Sequence, residues 1–185
     1  MNDLIGQAKA KPGEVFAASA SLASRLGLEL LNLQMDVKIT HVPYKGAGAA
    51  VTDLVGNRFA VMFATPPTVL SHIKSGKVKG IAVTGLSRLS TAPDLPTVAD
   101  ALKLPGFEAS TWYGVIAPAR TPPDIVRRLG SEIIKAVEEP AVRARLTTQG
   151  IEVAGSTPEQ FKTYIASETE KWAKVIKAAG VEPEK

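Results

Sequence analysis

Three segments of the chain combine small and hydroxyl residues with the predicted end of a strand and the predicted start of a helix. They are residues 18–21, 44–48 and 64–66. In a parallel α/β sheet such turns meet at the carboxyl edge of the strands, where ligands bind. Each helix start presents unpaired backbone N–H groups and about half a positive charge, which suits a carboxylate or a phosphate. The pattern therefore predicts an anion site built mainly from backbone amides.

The same turns have an ordinary structural interpretation. Every α/β domain contains them, and Ser or Thr at such a place commonly caps a helix. The segment Tyr44-Lys45-Gly46 is not a P-loop, because the glycine-rich lead-in and the following Ser or Thr are absent. If the turns do bind an anion, the candidate ligand-binding residues are Ser19, Ala20, Ser21, Tyr44, Lys45, Gly46, Ala47, Ala64 and Thr65.

Residues suited to catalysis or metal binding are scarce. The chain has no cysteine, and its only histidines are His41 and His72, which we interpret as structural or exposed. There is no Gly-x-Ser-x-Gly elbow, no metal-binding cluster, and no evident base for Ser19 or Ser21. We therefore expect no enzyme activity, no cofactor and no metal.

Strands and helices alternate through the first half of the chain, which is typical of a parallel sheet with right-handed crossovers. A helix is expected before Lys11-Pro12-Gly13, and a helix from Ser21 should bury a stripe of Leu22, Leu26, Leu30 and Leu33. Further helices should begin at Gly46 and at Pro66. The predicted strands are residues 14–18, 37–42, 59–63 and 78–84, the last of which reads as buried on both faces.

The second half of the chain has a different pattern of predicted elements, with helices and only one short strand. A proline-rich loop is predicted at residues 91–105, and an extended run at 107–118 is long enough to pass between two lobes. Helices follow, one capped by Thr121, one from Pro140 and one starting at Thr157, with a single short strand at 151–153. Because one strand cannot form a sheet, this portion is predicted to be incomplete.

Composition excludes several classes of protein. Hydrophobic residues make up 45% of the 185 residues and charged residues 22%, which is globular and not disordered. The net charge of +4 is spread along the chain without a basic block, so we expect no nucleic-acid partner. No apolar run could span a membrane, and the first residues show no secretory signal.

From His41 onward the sequence resembles a known family. His41-Val42-Pro43-Tyr44-Lys45-Gly46 is similar to the hallmark of the tripartite tricarboxylate transporter substrate-binding proteins, also called the Bug receptors. The resemblance continues in order through nearly the whole chain, at residues 53–56, 61–63, 72–77, 81–84, 93–98, 112–114, 117–122 and 171–180.

The resemblance implies a periplasmic-binding-protein-like (Venus flytrap) α/β fold with two lobes around a cleft. Residues 12–105 would form the ligand-binding lobe, 106–185 the crossing strand with the C-terminal part of the other lobe, and 1–11 a remnant helix. Such receptors work in the periplasm, where they usually bind a carboxylate or an amino acid and pass it to membrane transporter subunits. Compared with the family pattern, we expect the N-terminal portion to be missing from this chain.

A second departure concerns ligand charge. Some family members carry an acidic residue where this chain has Ala64, so a ligand amine would lose its counter-charge. Dicarboxylates or aromatic carboxylates are therefore expected in preference to amino acids. The alternative hypothesis is a truncated sensing or interaction module that self-associates, as a homodimer for instance, and does not bind ligand on its own.

Overall fold

The computed structural model describes residues 1–182. Its internal contacts divide the chain into two compact units. Unit 1 holds Met1–Thr111 and the C-terminal residues from Val175, and unit 2 holds Trp112–Lys174. The sequence predicts a different division of the chain, into lobes at residues 12–105 and 106–185. That division is based on the family resemblance and remains a prediction. Residues 183–185 of the predicted second portion lie outside the described part.

Unit 1 is organised around a parallel sheet. Its strands are β1 (Val15–Ser19), β2 (Ile39–Pro43) and β3 (Val61–Met62), in the order β2-β1-β3. Ala17 and Ala18 in the central strand point to opposite faces, and both are fully buried. The sheet is therefore covered on both sides, as the alternation of strands and helices predicts.

The helices of this unit connect the strands. They are α1 (Asn2–Ala10), α2 (Leu22–Met35), α3 (Ala47–Val55) and α4 (Pro66–Lys74). Helix α2 packs against β1 and β2, and α3 packs against β1 and β3. Because right-handed crossovers lead in opposite directions from β1 to β2 and from β2 to β3, α2 and α3 cover opposite faces of the sheet.

Helix α2 supplies much of the core of unit 1, with a face that agrees only in part with the predicted stripe. Leu28 and Leu31 are completely buried, and Leu26 and Leu30 are nearly so. The prediction was wrong for Leu22 and Leu33, which are 51% and 43% exposed. They lie in the end turns of a helix about 21 Å long, whereas five-residue strands span only about 16 Å.

The predicted strand at residues 78–84 is wrong. The structure has only an isolated parallel bridge there, between Val83 and Thr97. The amide of Val83 donates to the Pro96 carbonyl at 2.9 Å, and the amide of Val98 donates to the Val83 carbonyl at 2.8 Å. The backbone of Val83 thus forms hydrogen bonds with a loop instead of a strand. Val83 is also the only buried residue of the segment 78–84.

The proline-rich segment predicted as a loop at 91–105 contains a short helix, α5 (Val98–Leu102). The Thr97 hydroxyl accepts a hydrogen bond from the Asp100 amide at 3.0 Å and caps this helix. Lys103 ends it in the left-handed conformation, with φ 54°. The hydroxyl residue three positions before an acid was the signal for this helix in the sequence.

Unit 2 contains α6 (Pro123–Glu138), α7 (Pro140–Thr148) and most of α8 (Pro158–Ala179). The predicted cap and box of α8 are confirmed, because the Gln160 amide donates to the Thr157 hydroxyl at 3.2 Å and the Thr157 amide donates to the Gln160 side chain at 2.9 Å. The predicted Thr121 cap is wrong. Pro122 holds the N-cap position of α6 without a side-chain bond.

The strand predicted at 151–153 is also wrong, since the structure shows no strand there. A strand requires a hydrogen-bonded neighbour, and none pairs with this segment within residues 1–182. Helices α6 and α7 contain no buried residue. No helix among residues 1–182 is both long enough and apolar enough to cross a bilayer.

Candidate functional site

The three predicted turns lie at one edge of the sheet in unit 1. Strands β1, β2 and β3 end at Ser19, Pro43 and Met62, and all run parallel. Pairing continues just past the strand ends, where the Tyr44 amide donates to the Ser19 carbonyl at 3.0 Å and the Phe63 amide donates to the Ala18 carbonyl at 3.1 Å. The sheet thus brings the candidate residues of all three turns to the same edge.

Each turn leads directly into a helix. Ser21, Gly46 and Thr65 are the N-cap residues of α2, α3 and α4. No side chain caps α3, so its first amides keep their capacity to donate. Helix α4 has no side-chain cap either, but it begins with Pro66 and Pro67, which have no N–H group, and the Thr68 amide donates to the Thr65 carbonyl at 3.1 Å. A Cβ atom placed on Gly46 or Gly48 would meet nothing within 4 Å, so the start of α3 borders open space.

The start of α2 is different, because its polar groups bond to one another. The Ser21 hydroxyl accepts from the Ser24 amide, and the Ser21 amide donates to the Ser24 hydroxyl, both at 3.2 Å. The two hydroxyls also lie 2.9 Å apart. Ser21 therefore stabilises the helix start through a capping box and keeps little capacity to bind a ligand.

Ser19 has a partner that the sequence did not reveal. Its hydroxyl lies 2.6 Å from Nε2 of His41 on the neighbouring strand. The expectation that Ser19 has no base within reach is therefore wrong. Only 3% of Ser19 is exposed, however, so this residue is almost closed to solvent. A buried hydroxyl bonded to a neighbouring strand is suited to holding the sheet edge in place, and not to attacking a substrate.

The side chain of Tyr44 turns away from the edge. Its hydroxyl donates to Oδ2 of Asp53 on α3 at 2.8 Å, and its ring lies 5.7 Å from the ring of Phe59. Arg58 contacts the other oxygen of Asp53 at 3.2 Å. The bond to Asp53, helped by desolvation and by the charge of that carboxylate, raises the pKa of Tyr44. Since its amide donates to Ser19, both donors of Tyr44 are already used.

The remaining candidates contribute unused amides. Within residues 1–182, no intramolecular hydrogen bond engages the N–H groups of Ala20, Lys45, Gly46, Ala47, Ala64 and Thr65. The turns contain no acidic residue, and Lys45 adds an exposed cation. Oriented amides, helix dipoles and this cation give the edge a positive character, which favours an anion. Ligand binding by these residues stays a prediction.

Among residues 1–182, no three His, Asp or Glu side chains are grouped in a way that could hold an ion. The residues that sequence reasoning missed are His41 as the partner of Ser19 and Asp53 as the partner of Tyr44. Their sequence separations of 22 and 9 residues gave no signal, because only the fold brings each pair together.

Comparison with known proteins identifies the family. The family model described as "Tripartite tricarboxylate transporter family receptor" matches residues 1–181. The chain belongs to this family. Among curated relatives, the protein BugT of Bordetella pertussis is 38% identical over 182 residues, which are 97% of this chain and 56% of BugT. The chain therefore spans about half the length of the curated relatives that it matches first.

Several solved structures share the fold of this chain. The structure of R. palustris Rpa4515 with adipate has a TM-score of 0.86 and 31% identity, and the match covers 100% of this chain and 62% of that one. MatC of Rhodopseudomonas palustris with bound malate has a TM-score of 0.76 and 28% identity, covering 95% and 61%. The predicted family and the periplasmic-binding-protein-like fold are confirmed. The family is one of receptors, which agrees with the prediction that the chain is not an enzyme.

Proposed function

We propose that this chain is the ligand-binding lobe, with the returning part of the other lobe, of a periplasmic receptor that captures a small carboxylate for a tripartite transporter. The observation that carries the proposal is the sheet edge of unit 1, where three turns present unused amides and no acidic side chain. Such an edge attracts a negatively charged group and offers it several hydrogen-bond donors.

The ligand that this edge fits best is a carboxylate without an amine. An ammonium group would meet Lys45 and the positive ends of two uncapped helices, and no acidic residue in the turns would balance its charge. Ala64 is the position where an acid would provide that balance. Two proteins with similar structures have been solved with adipate and with malate, which supports a dicarboxylate.

Isothermal titration calorimetry of the 185-residue chain tests the proposal. Adipate, malate and benzoate should be compared with glutamate, which adds an amine to a dicarboxylate. We expect heat of binding from at least one amine-free carboxylate and at least tenfold weaker binding of glutamate. The absence of binding by all four ligands, with the chain shown to be folded by circular dichroism, would refute autonomous capture.

The variant Ala64→Asp tests the role of charge at the edge. A new carboxylate about 4–6 Å from the ligand carboxylate disfavours it by about 3–4 kcal/mol at an effective dielectric constant of 20. Solvent screening reduces this effect, so we expect a loss of affinity of about 10–100-fold. Ala64→Asn, which has nearly the same size and no charge, is the matched control. Equal losses in the two variants would show a steric effect instead.

The exposed surface of unit 2 supports an alternative function, a self-associating module without ligand binding of its own. Tyr113, Val115 and Ile116 are 78%, 70% and 83% exposed, and Ile125 and Leu129 on α6 are nearly half exposed. Such a surface favours association. Light scattering combined with size exclusion distinguishes the two functions. A dimer that gives no heat with any carboxylate supports the module, whereas a monomer rules out the homodimer.

A further inference from the structure

The turn that precedes helix α3 has few contacts of its own to hold it. A Cβ atom built on Gly46 or Gly48 would meet nothing within 4 Å in the described part of the chain. No side chain caps α3, and the bond from the Ala50 amide to the Gly46 carbonyl is long, at 3.5 Å. Glycine also gives the backbone more freedom than any other residue. Local contacts alone therefore do not fix the direction of the unused amides at residues 45–47.

Tyr44 ties this turn to the rest of unit 1 at two points. Its amide donates to the Ser19 carbonyl at 3.0 Å, which holds the beginning of the turn against β1. Its hydroxyl donates to Oδ2 of Asp53 on α3 at 2.8 Å. Among residues 44–48, Tyr44 is the one whose side chain forms a hydrogen bond within the described chain. Tyr44 thus joins the sheet edge to α3 on either side of the flexible residues.

The surroundings of Asp53 show which of its contacts holds the turn. The Tyr44 ring packs against the core of unit 1 and lies 5.7 Å from the ring of Phe59, so its hydroxyl is aimed at a fixed place. Arg58 contacts Oδ1 of Asp53 at 3.2 Å, but the Arg58 side chain is 74% exposed. An ion pair with such an exposed partner contributes little. The hydrogen bond between Tyr44 and Asp53 is therefore the contact that restrains the turn.

We infer that Asp53 is a positioning residue, which holds the amides of residues 45–47 in the direction needed to bind a carboxylate through its hydrogen bond with Tyr44. The inference rests on the proposed function and adds a residue that does not itself touch the ligand. Donors that are already oriented bind more tightly, because less ordering remains to occur on binding. The upper limit of this gain is the net strength of one hydrogen bond to a carboxylate, which corresponds to about 10–100-fold in affinity.

The test is calorimetry with whichever of adipate, malate and benzoate the wild type binds most tightly. Tyr44→Phe keeps the ring and Asp53→Leu nearly keeps the size, and each should weaken binding about 3–10-fold because the bond is lost. The double variant should bind no more weakly than either single variant, since both break the same bond. Asp53→Asn keeps an acceptor and should stay within twofold of the wild type. Arg58→Gln removes the neighbouring charge, keeps the bond, and should also stay within twofold.

Nuclear magnetic relaxation without ligand separates positioning from stability. The order parameters of the amides at residues 45–47 should fall from about 0.85 toward 0.6 in Tyr44→Phe and Asp53→Leu, and should stay unchanged in Asp53→Asn. Wild-type order parameters in the first two variants would overturn the inference, whatever their melting temperatures. Wild-type affinity in Tyr44→Phe, or additive losses in the double variant, would overturn the inference alone. A wild-type chain that binds no carboxylate would refute the proposed function and the role of Asp53 with it.

Discussion

The Ser19–His41 pair gives a prediction that separates a structural hydroxyl from a ligand-binding one. In Ser19→Ala the backbone hydrogen bonds of the sheet edge are kept, because only the side-chain hydroxyl is removed. Nε2 of His41 loses its bond to the Ser19 hydroxyl, which lies 2.6 Å away in the wild type. Ser19 is only 3% exposed, so the lost bond is a buried one. Loss of one buried hydrogen bond costs about 1–3 kcal/mol. For a chain of this size, each kcal/mol lowers the melting temperature by about 2–4 °C.

We therefore expect the melting temperature of Ser19→Ala to fall by about 2–12 °C, while its affinity for adipate changes less than threefold. Differential scanning calorimetry gives the first quantity and isothermal titration the second, at a temperature where both proteins are folded. Ser71→Ala is the matched control, because Ser71 is exposed on α4 and the same substitution there should stay within about 0.5 kcal/mol.

One result would refute this reasoning. If Ser19→Ala unfolds like the wild type and loses adipate affinity tenfold or more, the hydroxyl binds the ligand and its bond to His41 does not stabilise the fold. Loss of both stability and affinity would show that the edge itself rearranges. The unused amide of Ala20 would then be misplaced as well, since it follows Ser19 directly.

Three further predictions concern other contacts. Because the pKa of Tyr44 is raised, its phenol stabilises the fold fully below pH about 10, and this contribution is lost as the pH rises through the raised pKa. In an ultraviolet titration of the phenolate, Asp53→Asn should return the pKa of Tyr44 toward its ordinary value. An unchanged titration curve would contradict the hydrogen bond between Tyr44 and Asp53. Gly114→Ala would push Cβ into the ring of Phe161, so thermal unfolding should show a loss of about 1–3 kcal/mol. Wild-type stability of this variant would contradict the packing. Leu28→Ala should cost about 2–5 kcal/mol in urea unfolding, because the side chain is completely buried, and a cost below 1 kcal/mol would show that the core collapses around the cavity.

The sequence predicted the parts of the fold that depend on local signals. Alternating strands and helices gave the parallel sheet, and the hydroxyl and glycine residues at 18–21, 44–48 and 64–66 marked its carboxyl edge. The box formed by Thr157 and Gln160 gave the start of α8. These features need only residues close in sequence, or a general rule for parallel sheets, so one sequence is enough to find them.

Strand predictions failed where pairing was required. Residues 78–84 are apolar and residues 151–153 alternate, yet neither segment has a strand beside it within the described chain. A strand exists only through hydrogen bonds to a neighbour, and a single sequence does not specify that neighbour. Val83 shows the consequence, because its backbone bonds to the loop at 96–98 instead.

The sequence by itself determined which residues reach the sheet edge, because the end of a strand and the start of a helix depend mainly on the types of neighbouring residues. Only the tertiary structure decided which of their donors remain available. Tyr44 and Ser19 looked like ligand contacts, but Asp53 and His41 engage their hydroxyls across distances in sequence that no local pattern covers. A hydrogen bond depends on atoms lying about 3 Å apart, and that proximity arises only when the chain folds.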